Sequence, residues 1–204
     1  MIAWINFIIL ALATIGTAVF YIKSVGPAAL AEKIGPDAYP KCARYRLIAA
    51  ILMTVTLVNY VIYLFYPLPL GLPLQFGWGW PLSIAMGLII GLPATYIFFR
   101  GMKDAGEETM QPKQEHTLYG GIYQKIRHPQ AVGESPLWLV FALLLNSPFL
   151  AIFSLVWFPI YYWFCLAEEK DLVLRYGQSY RNYQQQTGFL FPHVRSTEDQ
   201  GGRA

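Results

Sequence analysis

Uncharged apolar segments constrain the fold of this chain more than any other feature of its sequence. A helix needs about 20 apolar residues to cross the ~30 Å hydrocarbon core of a bilayer. Three uncharged segments have about that length, at residues 2–22, 47–66 and 81–99. Two shorter ones, 135–145 and 149–166, are separated by the helix-breaking sequence Asn146-Ser147-Pro148. Only 13% of the residues are charged, against ~25% in a soluble domain.

The sequence therefore predicts an all-α integral membrane protein with about five transmembrane helices, the last two forming a helical hairpin. Proline suits the first turn of a helix, so the first arm of the hairpin is expected to begin near Pro129 and to cross only part of the bilayer. Residues 1–100 would then hold three transmembrane helices and residues 101–195 the hairpin and a C-terminal helix. Residues 196–204 are expected to be a disordered tail.

Lysine and arginine residues occur in alternate loops only. They lie between the first two apolar segments, between the third and fourth, and after the fifth, whereas residues 67–80 and 146–148 carry no charge. The positive-inside rule then places the N-terminus outside and the C-terminus in the cytoplasm. The net charge of +3 is small and scattered, so membrane lipid is the expected partner and nucleic acid is not. The histidines and cysteines share no metal-ligand spacing, so no metal site is expected, and oligomeric state is left open.

Polar residues concentrate around the start of the fourth apolar segment. Gly120-Gly121 permits a tight turn, and Arg127-His128-Pro129 precedes a helix whose free N–H groups would attract an anionic group. His128 can donate to a carboxylate or carbonyl near neutral pH. Arg127 by itself is better explained as a cation anchoring a helix end among lipid head groups. Glu134 has apolar neighbours, so one interpretation is that it needs a partner or binds a cofactor. An equally weighted interpretation is a carboxylate near the helix start that complements the helix dipole.

Two carboxylates and three tyrosines follow the last apolar segment. Glu168 and Glu169 point about 100° apart on a helix, so that one can face a cavity while the other meets the cytoplasm. A solvated helix end is the alternative. Tyr176, Tyr180 and Tyr183 share one helix face. Such a stripe is more often packing against the membrane surface than a ligand site, although a purine ring can stack on it.

In this order, these residues resemble the superfamily of isoprenylcysteine carboxyl methyltransferases and phospholipid methyltransferases. The pattern that carries the resemblance is Gly121-x-Tyr123-x₃-Arg127-His128-Pro129-x₃-Gly133, then a hairpin, then Glu168-Glu169-x₂-Leu172-x₄-Gly177-x₂-Tyr180-x₂-Tyr183-x₈-Pro192. The ordered spacings make it specific. It covers about residues 118–192, whereas residues 1–100 match only as hydrophobic spans.

The resemblance implies that residues 101–195 form a catalytic half that binds S-adenosylmethionine at the cytoplasmic membrane face, while an apolar or lipidic acceptor enters from the bilayer. One of the two glutamates would hold the amino group of the cofactor, and the cytoplasmic C-terminal helix would cover the pocket. The cofactor-binding residues implied are Leu118, Tyr123, His128, Pro129, Glu168, Glu169 and Tyr180. The catalytic candidates are Arg127, Glu134 and Arg181. An amine or hydroxyl acceptor would need a base, for which Glu134 or His128 is the candidate.

The chain departs from the superfamily pattern at identifiable positions. Ala131 stands where a tyrosine usually follows the proline, and the glycine-x-glycine motif of phospholipid methyltransferases is missing around residues 100–106. Gln186 stands where carboxyl-methylating members place a basic residue, for which Arg181 is a candidate substitute. An isoprenylcysteine-type carboxylate therefore stays one acceptor among several.

Two other functions stay open on the sequence alone. Arg127-His128-Pro129-x₃-Gly133-Glu134 also resembles membrane reductases of the sterol-reductase type, which use NADPH. In that alternative Arg127 and Arg181 hold the cofactor phosphates, and a tyrosine or Glu134 supplies a proton. A non-enzymatic membrane scaffold explains the hydrophobicity but leaves the ordered polar motif unexplained.

Overall fold

The computed structural model describes residues 1–112 and 120–193, and the regular elements in these ranges are helices. The α-helices are α1 (Ile2–Ser24), α2 (Pro27–Ile34), α3 (Ala38–Phe65), α4 (Gly79–Ala105), α5 (Pro129–Leu144), α6 (Pro148–Ser154), α7 (Trp157–Tyr176) and α8 (Gln178–Gln186). Short 3-10 turns lie at Gly35–Asp37, Gly106–Thr109 and Gly121–Gln124. The all-α prediction is confirmed for these ranges. The predicted tail, residues 196–204, lies outside them.

Within the described ranges, four helical segments are long and apolar enough to cross a membrane: Ile2–Ser24, Pro27–Phe65, Gly79–Thr109 and Pro148–Tyr176. The chain is an integral membrane protein. α5 begins at Pro129, as predicted, but has 16 residues, which is roughly 24 Å of helix at 1.5 Å per residue. That length is short of the ~30 Å core. The predicted partial crossing agrees with this length, whereas the predicted count of about five spans is not confirmed.

The apolar pattern locates the spans but not the ends of all the helices. α3 begins at Ala38, well before the apolar segment starts, because a helix continues through its polar end once the buried part has nucleated it. The last apolar segment is divided, since α6 ends at Ser154 and α7 begins at Trp157. α2 was not predicted. It has only 8 residues and is amphipathic, so no hydropathy window detects it.

Close packing of α4 against α5 fixes the position at which α5 begins. A Cβ atom on Gly133 would lie 2.5 Å from the backbone nitrogen of Phe98 and 2.6 Å from the carbonyl oxygen of Ala94. Likewise, a Cβ atom on Gly101 would lie 3.2 Å from Cγ of Pro129. Small residues let membrane helices approach to backbone contact. The residues just before and inside the first turn of α5 are therefore held against the end of α4.

The interior is rich in stacked aromatic rings, and the outer surface of the spans is apolar. Trp138 on α5 stacks on Trp157 on α7 with ring centroids 4.3 Å apart, and Tyr21 on α1 stacks on Phe164 on α7 at 4.2 Å. Large apolar side chains such as Ile89, which is 73% exposed, cover the outer face of the helices. That distribution suits lipid as the surrounding solvent.

Candidate active site

A cavity of about 820 Å³, counted out to its open mouth, lies where α1 ends, α3 and α5 begin, and α4 and α7 end. Its walls are polar and aromatic although the surrounding helices are apolar. Carboxylates of Glu108, Glu134 and Glu168 line it, together with tyrosines of α1, α7 and α8. We call it the polar cavity.

His128 caps α5 and is clamped between two carboxylates. Its Nδ1 lies 3.4 Å from Oε2 of Glu168, and its Nε2 lies 3.1 Å from Oε1 of Glu169. The edge of its ring meets Phe189 at a centroid distance of 4.9 Å. Burial lowers the pKa of His128, but hydrogen bonds to Cys165, Glu168 and Glu169 outweigh it and hold the pKa well above its ordinary value. The ring is therefore an imidazolium at neutral pH that donates to carboxylates on both sides.

Arg127 ties the start of α5 to the end of α8. Its Nε donates to Oε1 of Glu169 at 2.6 Å. Its Nη1 donates to the carbonyl oxygens of Gln184 at 2.7 Å and Thr187 at 2.8 Å. The guanidinium also lies 5.2 Å from the ring centroid of Phe189. Because these donors are committed to protein acceptors, Arg127 acts as a structural cross-link that lines the cavity.

α8 covers the polar cavity and is fastened to it through its own polar side chains. Gln184 donates to Oε2 of Glu169 at 2.9 Å, and the hydroxyl of Tyr183 donates to the carbonyl oxygen of Tyr123 at 2.6 Å. Tyr180 is buried, with its hydroxyl 3.5 Å from Oε1 of Glu169. Burial raises the pKa of Tyr180 and of Tyr183, so both hydroxyls keep their protons. Of the two interpretations left open for the tyrosine stripe, packing against the membrane surface or facing a ligand, the structure has the stripe turned inward, and Tyr176 lines the cavity with the other two.

A glycine turn brings Tyr123 into the opposite wall. Gly121 has φ +61°, a conformation that favours glycine. A Cβ atom there would also collide with the carboxylate of Asp104. Oδ2 of Asp104 instead accepts the backbone N–H of Ile122 at 2.8 Å. The hydroxyl of Tyr123 then accepts from Nε2 of Gln130 at 3.0 Å, which orients its ring against α5.

Two residues of the N-terminal half line the polar cavity, and sequence reasoning missed both. Tyr21 comes from α1, and Arg46 comes from α3. Nη1 of Arg46 donates to the carbonyl oxygens of Glu108 at 2.7 Å and Thr109 at 3.1 Å. Arg46 thereby fixes the 3-10 turn that ends α4. The sequence signal for Arg46 was its position directly before the second apolar segment, where a cation is expected to snorkel towards the head groups. In the structure Arg46 is buried instead.

A second, apolar cavity of about 640 Å³ opens on the side of the bundle between α3, α4 and α5. Its walls come from side chains such as Met53, Leu57, Phe98 and Phe141. We call it the lateral cavity. Glu134 lines both the lateral cavity and the polar cavity, so the two meet at this residue.

Most of the predicted site residues converge on the polar cavity. Those that line it are Tyr123, Arg127, His128, Glu134, Glu168 and Tyr180. Pro129 is buried as the first residue of α5, and Glu169 stands behind the wall, where it holds His128 and Arg127. Arg181 is exposed on α8 and does not belong to the lining. Leu118 lies outside the described residues. The individual roles assigned to these residues stay predictions.

The charge pattern of the polar cavity favours a cationic group bounded by aromatic faces. Arg127 and His128 both pair with Glu169, and His128 also pairs with Glu168, whose carboxylate lines the cavity. Aromatic rings attract cations over their faces. A carboxylate with surrounding tyrosines therefore suits an ammonium or sulfonium group better than a phosphate.

Comparison with known proteins gives a match to a family profile over part of the chain. Residues 82–179, nearly half of the chain, match the family profile described as Phospholipid methyltransferase. That segment runs from α4 to the first turn of α8 and contains the Arg127-His128-Pro129 and Glu168-Glu169 motifs. Searches of curated proteins and of solved structures gave no match. This part of the chain is therefore similar to the phospholipid methyltransferase family, in the superfamily of integral membrane methyltransferases that includes the isoprenylcysteine carboxyl methyltransferases.

Proposed function

We propose that this protein transfers a methyl group from S-adenosylmethionine to a lipidic acceptor at the cytoplasmic face of the membrane. The observation that carries the proposal is the junction of a polar, carboxylate-bearing cavity with an apolar cavity that opens on the side of the bundle. One cavity suits a charged nucleotide cofactor and the other suits a hydrocarbon chain. The family match supplies the reaction class.

The residues of the polar cavity fit the cofactor. Glu168 is the candidate for its amino group, because Glu169 already accepts from Arg127, His128 and Gln184. Tyr180 and the neighbouring aromatic rings offer faces for the cationic sulfonium and for the adenine. When bound, the cofactor supplies an electrophilic methyl group.

The protein's own contribution is alignment and exclusion of water. Holding two reactants in line is worth up to ~7–11 kcal/mol of a reaction barrier. α8 closes over the cavity through Tyr183 and Gln184, which limits the access of water from the cytoplasm. The lateral cavity would receive the acceptor directly from the bilayer. The charge-free loop at residues 67–80 supports an orientation with the N-terminus outside and the site in the cytoplasm.

The reductase alternative finds no support in this arrangement. It needs free cations for the phosphates of NADPH. Arg127 is already bound to Glu169 and two carbonyl oxygens, and Arg181 is exposed outside the cavity lining.

Calorimetry on the purified protein tests the cofactor. S-adenosylhomocysteine is expected to bind, and Glu168→Gln to weaken binding about 10- to 150-fold, the equivalent of ~1.5–3 kcal/mol for a hydrogen bond to a charged group. Glu32→Gln, on the exposed face of α2, is the matched control and should bind like the wild type. Binding of NADPH in place of S-adenosylhomocysteine, or equal affinity of the Glu168→Gln variant, would reject the proposal.

A further inference from the structure

We propose that Lys23, Lys41 and Arg44 bind the head group of an anionic phospholipid, at a site separate from the polar and lateral cavities. Lys23 lies in the last turn of α1, and the other two lie in the first two turns of α3. These helix ends belong to the end of the bundle at which the polar cavity lies. We call the three cations and the ring of Tyr45 the cationic rim. The inference does not depend on the reaction proposed above.

The cationic rim lies on the exposed side of the seam between α1 and α3. Nζ of Lys23 lies 5.7 Å from the ring centroid of Phe20 and 5.9 Å from that of Tyr45. Lys41 precedes Tyr45 by four residues, and Arg44 follows Lys41 by three, so these residues are neighbours on the surface of α3. The cation of α1 and those of α3 therefore lie around one tyrosine ring. Tyrosine is enriched at the level of the lipid head groups.

α3 carries cations on two sides, and only one side meets the polar cavity. Arg46 is buried and donates through Nη1 to the carbonyl oxygen of Glu108 at 2.7 Å. Cys42, one turn earlier, is buried against the end of α1. Lys41 and Arg44 are exposed, and neither lines the polar cavity or the lateral cavity. The cationic rim is therefore a surface of its own.

The charge of the cationic rim is not neutralised by the protein. Among the described residues, no carboxylate forms an ion pair with Lys23, Lys41 or Arg44. Asp37 precedes Lys41 by four residues and Glu32 lies on α2, yet neither pairs with them. Exposed lysine and arginine residues next to a bilayer attract its anionic lipids. The positive charge is therefore available to a lipid phosphate.

The surface that continues from the cationic rim is apolar. Val19 on α1 and Ile48 and Ile51 on α3 are exposed there. Between the two helices the contact is close, since a Cβ atom on Gly16 would lie 2.9 Å from Cδ1 of Leu52. A phosphate bound at the rim would thus have an apolar helix surface beside it on which an acyl chain can lie. That combination fits a phospholipid better than a free anion.

Native mass spectrometry of the detergent-purified full chain tests the preference for an anionic head group. The probes are phosphatidylglycerol and phosphatidylcholine with the same acyl chains, so that lipid bound in the lateral cavity contributes to both. A Lys or Arg close to an anionic lipid surface contributes about fivefold in affinity. For three cations we expect phosphatidylglycerol to bind about 10- to 100-fold more tightly than phosphatidylcholine. The variant Lys23→Gln/Lys41→Gln/Arg44→Gln should lose this preference.

A matched control removes the same charge from other exposed positions of the chain. Lys103→Gln/Lys125→Gln/Lys170→Gln changes α4, the segment before α5, and α7. This variant should keep the preference for phosphatidylglycerol, with the melting temperature of each protein as the check on folding. Equal affinities of the two lipids in the wild type would overturn the inference. An equal loss in both triple variants would also overturn it, because net charge alone would then explain the binding.

Photo-cross-linking locates the lipid on the wild type and needs no variant. Phosphatidylglycerol with a diazirine near its head group is irradiated with the protein in phosphatidylcholine nanodiscs, and the labelled peptides are mapped. Label is expected at residues 19–23 and 41–48, and unlabelled phosphatidylglycerol should displace it whereas added phosphatidylcholine should not. Label spread evenly over all the helices, or confined to the walls of the lateral cavity, would overturn the site.

Discussion

Replacing Arg127 with methionine tests whether this residue fastens α8 over the polar cavity. The change removes the donors to Glu169 at 2.6 Å and to the carbonyl oxygens of Gln184 at 2.7 Å and Thr187 at 2.8 Å. The ion pair is nearly buried, with side-chain exposures of 11% and 12%. Breaking a fully buried pair costs ~3–5 kcal/mol. Because the pair is not fully buried and Glu169 keeps His128 and Gln184 as donors, we expect a smaller loss, about 2–4 kcal/mol, from the closed state of α8.

Hydrogen exchange of the backbone amides measures that loss directly. A loss of about 2–4 kcal/mol raises the opening equilibrium of α8 roughly 30- to 700-fold, at 1.4 kcal/mol for each factor of ten. The amides of Gln178–Gln186 should exchange faster by that factor, while those of α1 keep their rates. Arg100→Met is the matched control, because the pair of Arg100 with Asp104 is 43% exposed at the arginine and such pairs contribute little. Unchanged exchange in α8 of the Arg127→Met protein would refute the cross-link.

Two further predictions concern the clamp around His128 and the contact between α4 and α5. Folding raises the pKa of His128. The stability that protonated His128 gives to the folded state is therefore complete below about pH 6.5. It is lost as the pH rises through the folded-state pKa. The difference in melting temperature between wild type and His128→Asn should shrink from about pH 6 towards alkaline pH, and a difference that widens would contradict the clamp. Gly133→Ala would place a methyl group 2.5 Å from the backbone of Phe98 and should cost ~1–3 kcal/mol of unfolding free energy. Gly77→Ala, with open space around it, should change stability little in the same denaturation series, and equal effects of the two would contradict the close approach.

The membrane helices were predictable because their apolar segments are long and free of charge, which leaves little choice of structure in lipid. The helices outside the apolar segments were not predictable in this way. α2 is too short for its amphipathic pattern to stand out, and its first turn is held by a distant residue, since Oδ1 of Asp171 accepts the N–H groups of Ala28 at 2.8 Å and Ala29 at 3.0 Å. Such a contact, made across the fold, has no local signature.

The candidate site likewise contains residues that the sequence predicts and residues that only the structure reveals. Residues 127–129 are adjacent in sequence at the start of one helix, so the local motif was enough to predict Arg127 and His128 as site residues. Tyr21 and Arg46 reach the polar cavity only through the packing of α1 and α3, far away in sequence. The choice between Glu168 and Glu169 also needed the structure. The spacing required the two to face apart, but only the structure showed that Glu169 binds Arg127 and Gln184 while Glu168 lines the cavity.

The electrostatic pattern of the site links the fold to its proposed chemistry. Each cation at the polar cavity that the described contacts resolve is held by acceptors of the protein: Arg46 by carbonyl oxygens, Arg127 by Glu169 and carbonyl oxygens, and His128 by two glutamates. Glu168 lines the cavity while its Oε2 lies 3.4 Å from Nδ1 of His128, and Glu134 lines it without an ion pair among the described contacts. Since charges in a cavity of low dielectric constant interact more strongly than in water, the carboxylates and tyrosine rings of the cavity are placed to interact with a cationic group. Arg127 and His128 join the start of α5 to α7 and α8, and Arg46 joins α3 to the turn that ends α4.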